Sequence, residues 1–163
     1  MQRHVRARYA IALACGLAFA VSAPAQTPPA APNSAVKQNV AGRKAAFTLV
    51  AHNFKTVGDV LQGRAPYDAA AIKTRTDRVA FLSTLLGDYF APESNVGLPD
   101  SKAKADIWGD RAEFDKLLKD FQEHSATLAR VAHAETSASD AFKSAASAVA
   151  QDCKTCHDKF REK

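Results

Sequence analysis

The chain has 163 residues, 47% of them apolar, and a formal net charge of +5 from 22 Lys and Arg against 17 Asp and Glu. That is enough for one compact domain burying roughly two thirds of its unfolded surface, and no block of like charge or basic-aromatic stripe points to nucleic acid. With three cysteines in all, a disulfide-rich scaffold is excluded.

Residues 1–25 have the anatomy of a cleavable secretory signal peptide. Arg3, Arg6 and Arg8 form a positive start, Tyr9 to Val21 an apolar run, and Ala23-Pro24-Ala25 a small-x-small cleavage site. Cleavage removes Cys15, the sole methionine Met1, and three of the basic residues but no acidic ones, so the mature chain is only mildly basic. The leader is the only long apolar segment. The expected product is therefore periplasmic, with no membrane span after signal cleavage.

Residues 26–33 are a Pro/Ala-rich tail, and from residue 34 to 163 the prolines fall between four stretches of helical period. The first helix is expected from about Ser34 to Leu61, with Val36, Val40, Phe47, Val50, Phe54 and Val57 along one side. Gly42 and Gly58 weaken it modestly. After the Gly63-Arg64-Ala65-Pro66 connector, Asp68 is placed to cap a second helix reaching about residue 90, with Ile72, Val79, Leu82, Leu86 and Phe90 as its stripe. A longer link through Pro92, Gly97 and Pro99 leads to a third helix near Asp110, where Asp110 and Glu113 have capping-box spacing. It carries Phe114, Leu117, Phe121, Leu128 and Val131, and His124 shares that inward face. The fourth helix, about 139–161, places Phe142, Ala146, Val149, Cys153, Cys156, His157 and Phe160 on one side. Four amphipathic helices and no period-two alternation predict an all-α fold, an antiparallel four-helix bundle with a flat cofactor in its core beside the alanine-lined fourth helix.

The cofactor is indicated by Cys153-Lys154-Thr155-Cys156-His157. In a Cys-x-x-Cys-His string both thiols bond covalently to haem and the histidine becomes an axial iron ligand. Positions i, i+3 and i+4 share a helix face, so the three side chains can point at one porphyrin. Competing readings are weaker. A thioredoxin-like motif belongs after a strand, and a zinc site lacks a fourth ligand at metal-binding spacing, since His52, His124 and His133 stand singly.

The mature chain resembles the cytochromes c′, the class II c-type cytochromes whose haem motif lies near the C-terminus of a four-helix bundle. The resemblance rests on residues 153–161, on Arg43-Lys44-Ala45-Ala46-Phe47, on Gly63-Arg64-Ala65-Pro66-Tyr67-Asp68 and on Ile107-Trp108. It implies one haem c per chain, bound through Cys153 and Cys156 and ligated by His157. It implies Arg43 at a haem propionate with Lys44 beside it, Phe47 at the distal position and Arg161 near the proximal ligand. Trp108 is expected either in the core or at the haem edge. A homodimer formed by the first two helices is also implied, with Val57, Leu61 and Phe81 offering apolar contact.

Low-spin relatives take a methionine from the first helix as sixth ligand, and no methionine remains after the leader is lost. Unless a histidine or lysine substitutes, the expected iron is therefore five-coordinate and high-spin, suited to small diatomic gases such as nitric oxide or carbon monoxide. That favours a gas-binding protein which buffers or carries nitric oxide. The alternative is a one-electron carrier with a redox partner protein in a respiratory or photosynthetic chain. Phe47 supplies no acid-base group, so an enzyme is not expected.

Overall fold

A computed structural model describes residues 34–94 and 98–163. The segments read as a signal peptide and a Pro/Ala-rich tail, and Gly97, lie outside the described residues. Helix α1 spans Ser34–Leu61, and its inner face is Val36, Val40, Val50, Val57 and Val60. Gly63 ends it with a φ of +69°, a left-handed conformation open to glycine at no steric cost, and donates its N–H to the Val60 carbonyl at 3.0 Å. Helix α2 spans Ala69–Leu85, and the Asp68 carboxylate accepts the N–H groups of Ala70 and Ala71 at 3.0 and 3.1 Å.

The expected second helix is too long. Beyond Leu85 the chain tightens into a 3₁₀ turn at Gly87–Tyr89 and another at Pro92–Ser94, so Phe90 packs from the connector and not from a helix. A single turn, α3 (Asp106–Gly109), precedes α4 (Arg111–Ala134). Asp110 does stand at the start of α4, but its side chain makes no capping hydrogen bond. The carboxylate takes the Lys159 ammonium at 2.9 Å instead, a full ion pair with a residue at the end of the facing helix. Helix α5 (Asp140–Phe160) is capped by Ser139, whose hydroxyl accepts the Phe142 N–H.

The long helices pack in a ring, α1 on α2, α2 on α4, α4 on α5 and α5 on α1. With short connections joining α1 to α2 and α4 to α5, this is the antiparallel four-helix bundle. Its buried interior divides into two clusters. The larger joins Val57, Ile72, Val79, Leu128 and Phe142 among others, with the Tyr67 ring set edge-on to Phe142 at 5.0 Å. The smaller joins Phe90, Ile107, Phe114, Leu117 and Phe160.

Two expectations about outward and inward faces are corrected. Val57 is fully buried inside the chain's own core and offers nothing to a partner. His124 is exposed and pairs with Asp152 of α5 at 2.7 Å. Ser125, the next residue, takes the buried position, because a helix turns about 100° per residue and a one-residue phase error moves a side chain from core to surface.

Candidate functional site

The smaller cluster borders a cleft of about 470 Å³ between the first half of α1, the connector before α3 and the end of α5. Arg43, Lys44 and Phe47 line it from α1, and Cys156, His157 and Arg161 from the C-terminal segment. Six of the seven predicted site residues are therefore brought together by the fold. Cys153 is the seventh. It is half-buried on the same helix, but packs against the larger cluster and is not part of the cleft wall, whereas Cys156 packs against the smaller one.

Across the cleft the Phe47 ring faces the His157 imidazole, with ring centroids 6.1 Å apart at 62°. Phe47 is braced from behind by Phe90, edge-on at 6.3 Å. Burial holds the His157 imidazole below the ordinary histidine range, and the nearby Arg161 acts in the same direction. It is therefore neutral at pH 7, with a ring nitrogen able to ligate. Burial also pushes both motif thiols up to about 11, so in the folded chain they are protonated at neutral pH.

Arg43 is the most unusual residue of the wall. It is only 5% exposed, and among the described residues its guanidinium bonds no carboxylate. It donates to Ser101 Oγ at 2.6 Å and Ser94 Oγ at 3.4 Å, and lies over the Phe90 and Trp108 rings at 5.2 and 5.7 Å. Burial lowers its pKa, opposed by the charge of Asp100. A buried cation held by hydroxyls and π faces, with donors to spare, leaves the cleft attractive to an anion. Trp108 is half-buried behind Arg43, with its indole N–H bonded to the Ala91 carbonyl at 3.1 Å. It backs the arginine and is not part of the cleft wall.

Residues 100–104 form a strap across the cleft. Asp100 pairs with Lys44 at 2.8 Å and Ser101 takes Arg43. The Lys104 N–H then bonds the Phe160 carbonyl, and the Glu162 N–H the Lys102 carbonyl, around a bridge between Ala103 and Arg161. Sequence reasoning missed this strap. A short polar segment has no periodicity to read, and its partners are dozens of residues away.

The sequence profile described as Cytochrome C' matches residues 38–161. The chain belongs to the cytochrome c′ family. Cytochrome c′ of Alcaligenes xylosoxydans xylosoxydans is 36% identical over 134 residues, which cover 82% of this chain and 98% of that one. Among solved structures, cytochrome c prime from Shewanella frigidimarina matches with a TM-score of 0.73 and 38% identity, over 78% of this chain and 97% of its own. The nitric oxide complex of a variant of cytochrome c prime from Alcaligenes xylosoxidans matches with a TM-score of 0.69 and 34% identity, over 78% of this chain and 97% of its own.

Membership in the cytochrome c′ family implies a haem c group, and the residues present fit one. The cleft volume lies in the range of small-molecule and cofactor sites. Phe47, Phe90, Phe114 and Phe160 supply apolar wall, His157 a nitrogen donor, and Arg43 and Lys44 cations for the carboxylates of such a group.

Proposed function

We propose that this cytochrome c′ carries one haem c, covalently held through Cys153 and Cys156 with His157 as the axial ligand, and binds small diatomic gases, nitric oxide first among them. In this reading Arg43 holds a haem carboxylate with Lys44 beside it, itself paired with Asp100 at the rim, and Arg161 lies on the His157 side. The carrying observation is the pair that faces across the cleft: His157 can ligate a metal and Phe47 cannot. The lysines of the wall are engaged elsewhere, Lys44 with Asp100 and Lys102 with the Lys163 carbonyl. Haem held by these residues would supply an iron able to take a small diatomic gas. The Phe47 ring excludes water from that side and yields to a small uncharged ligand, so the protein acts as a nitric oxide buffer or carrier and not as an enzyme.

Absorption spectra of the purified ferric and ferrous protein, with and without carbon monoxide, test this directly. A high-spin spectrum that shifts on adding carbon monoxide is expected, as is haem that resists extraction by acidified organic solvent. A low-spin spectrum indifferent to carbon monoxide would replace this function with one-electron transfer to a redox partner protein, and freely extracted haem would end the covalent assignment.

The leader motif at residues 1–25 supports a periplasmic location, and no helix among the described residues is long and apolar enough to cross a membrane. A homodimer through α1 and α2 is also proposed. Its apolar contacts would be Leu49 and Phe81, 50% and 64% exposed on those helices, whereas Leu61 is half-buried at the end of α1 and packs against the chain's own larger cluster. Sedimentation that finds only monomer over a wide concentration range would remove the dimer.

A further inference from the structure

α1 contains two interior glycines, and their surroundings differ sharply. A Cβ added at Gly58 meets nothing within 4 Å, whereas one added at Gly42 falls 2.4 Å from Tyr89 Cε1 and 2.6 Å from Cδ1. Contacts below 3 Å are not tolerated, so the Tyr89 ring lies where any other residue at position 42 would put its side chain. Both glycines cost helix stability, but only Gly42 makes room for something.

What it admits is the connector that builds one wall of the cleft. Tyr89 closes the Gly87–Tyr89 turn and packs against the larger cluster. The next residue, Phe90, braces Phe47 and lies beneath the Arg43 guanidinium. The Tyr89 and Ala91 carbonyls accept the Ser94 hydroxyl, which itself accepts from Arg43. Thus the residue adjoining Arg43 on α1 fixes how closely this connector approaches the helix that bears both Arg43 and Phe47.

We propose that Gly42 and Tyr89 form a positioning contact for the gas site, setting through Phe90 how firmly the Phe47 ring is held opposite His157. The proposal rests on the gas-binding reading above. Replacing Gly42 by Ala drives the Tyr89 ring off α1, loosens Phe90 from Phe47, and frees the ring that a gas must displace.

The test is a double-mutant cycle in the haem-loaded protein with Gly42→Ala, Tyr89→Ala and both, and Gly58→Ala as control. Gly42→Ala is expected to speed carbon monoxide association about threefold or more, the size of effect that coupled neighbours produce. It should have little effect in the Tyr89→Ala background, and Gly58→Ala should leave the rate unchanged. The Trp108 indole N–H resonance, read in the diamagnetic ferrous carbon monoxide complex, should move with Gly42→Ala, because its acceptor Ala91 lies in the displaced connector. Wild-type gas kinetics and an unmoved Trp108 signal in Gly42→Ala would overturn the proposal even if stability fell. So would an effect that persists undiminished without Tyr89. If the wild-type protein purifies without haem, the functional reading fails by itself, and the positioning contact is still decided by whether the Trp108 resonance moves with Gly42→Ala and loses that response in Tyr89→Ala.

Discussion

In the larger cluster Val57, Ile72, Val79, Leu128 and Phe142 have no measurable exposure, whereas the smaller one sets Phe90, Phe114 and Phe160 around a cleft finished by half-buried Phe47 and Cys156 and by the buried charge of Arg43. The larger cluster closes on itself, since side chains from four helices fill one another's gaps. The aromatic cluster does not. Flat rings stacked edge to face leave a slot, and a cation without a carboxylate calls for an anion from outside the chain. The first cluster holds the bundle together, and the second borders the cleft that the proposed function fills with haem. Substitutions in each should therefore produce different kinds of loss.

The largest loss of stability should come from Phe142→Ala, which empties a fully buried site against Tyr67. It should cost about 3–5 kcal/mol in urea unfolding, while the haem spectrum of whatever folds stays native. Phe47→Ala should reverse that pattern. The ring is only half-buried, so the cost should be nearer 2 kcal/mol, yet carbon monoxide should bind faster and more tightly in stopped-flow measurements. Unchanged kinetics in folded Phe47→Ala protein would place the ring away from the iron.

Arg43→Met should separate the two roles further, because it replaces a desolvated cation with an apolar side chain of similar length. Before haem is loaded this should be neutral or stabilising by about 1 kcal/mol. After loading it should be destabilising, because the anionic group loses its partner. Urea midpoints of both forms decide it, and a loss of similar size in each would make Arg43 a purely structural residue.

The smallest effect concerns carboxylates at the surface. Hydrogen bonds from lysines hold Asp110, Asp100, Asp59 and Asp120 below the usual carboxylate range, the donors being Lys159, Lys44, Lys55 and Lys116. Their folded-state pKa values lie under the unfolded ones, so the unfolded chain takes up protons first as pH falls. The contribution is complete well above the unfolded pKa and is lost as pH falls through the lower folded-state values. Urea midpoints should fall as the pH is taken down through the carboxylate range, the more gently in Lys159→Met and at high salt.

Much of this was legible from residues close together in the chain. The bounds of α1 follow from apolar periodicity, and Asp68 and the Cys-x-x-Cys-His string announce themselves within five residues or fewer. Arg43, Lys44, Phe47, Cys156, His157 and Arg161 were assigned to one site and share one cleft. Errors arose where a long-range partner outbid a local preference. Asp110 has the spacing of a capping residue but bonds Lys159, 49 residues away. The apolar run through Phe90 reads as helix, but its last residues serve α1 and the cleft instead.

Local chemistry thus sufficed for the number of long helices and for most of their limits, because hydrogen bonds within a turn and side-chain period act over four or five residues. The depth of Arg43, the strap at 100–104 and the different fates of Gly42 and Gly58 depended on which distant side chains came to lie against α1. A glycine carries no pattern that shows what will fill the space beside it, and at Gly42 that was Tyr89, 47 positions further along, packed by a connector with no periodicity of its own.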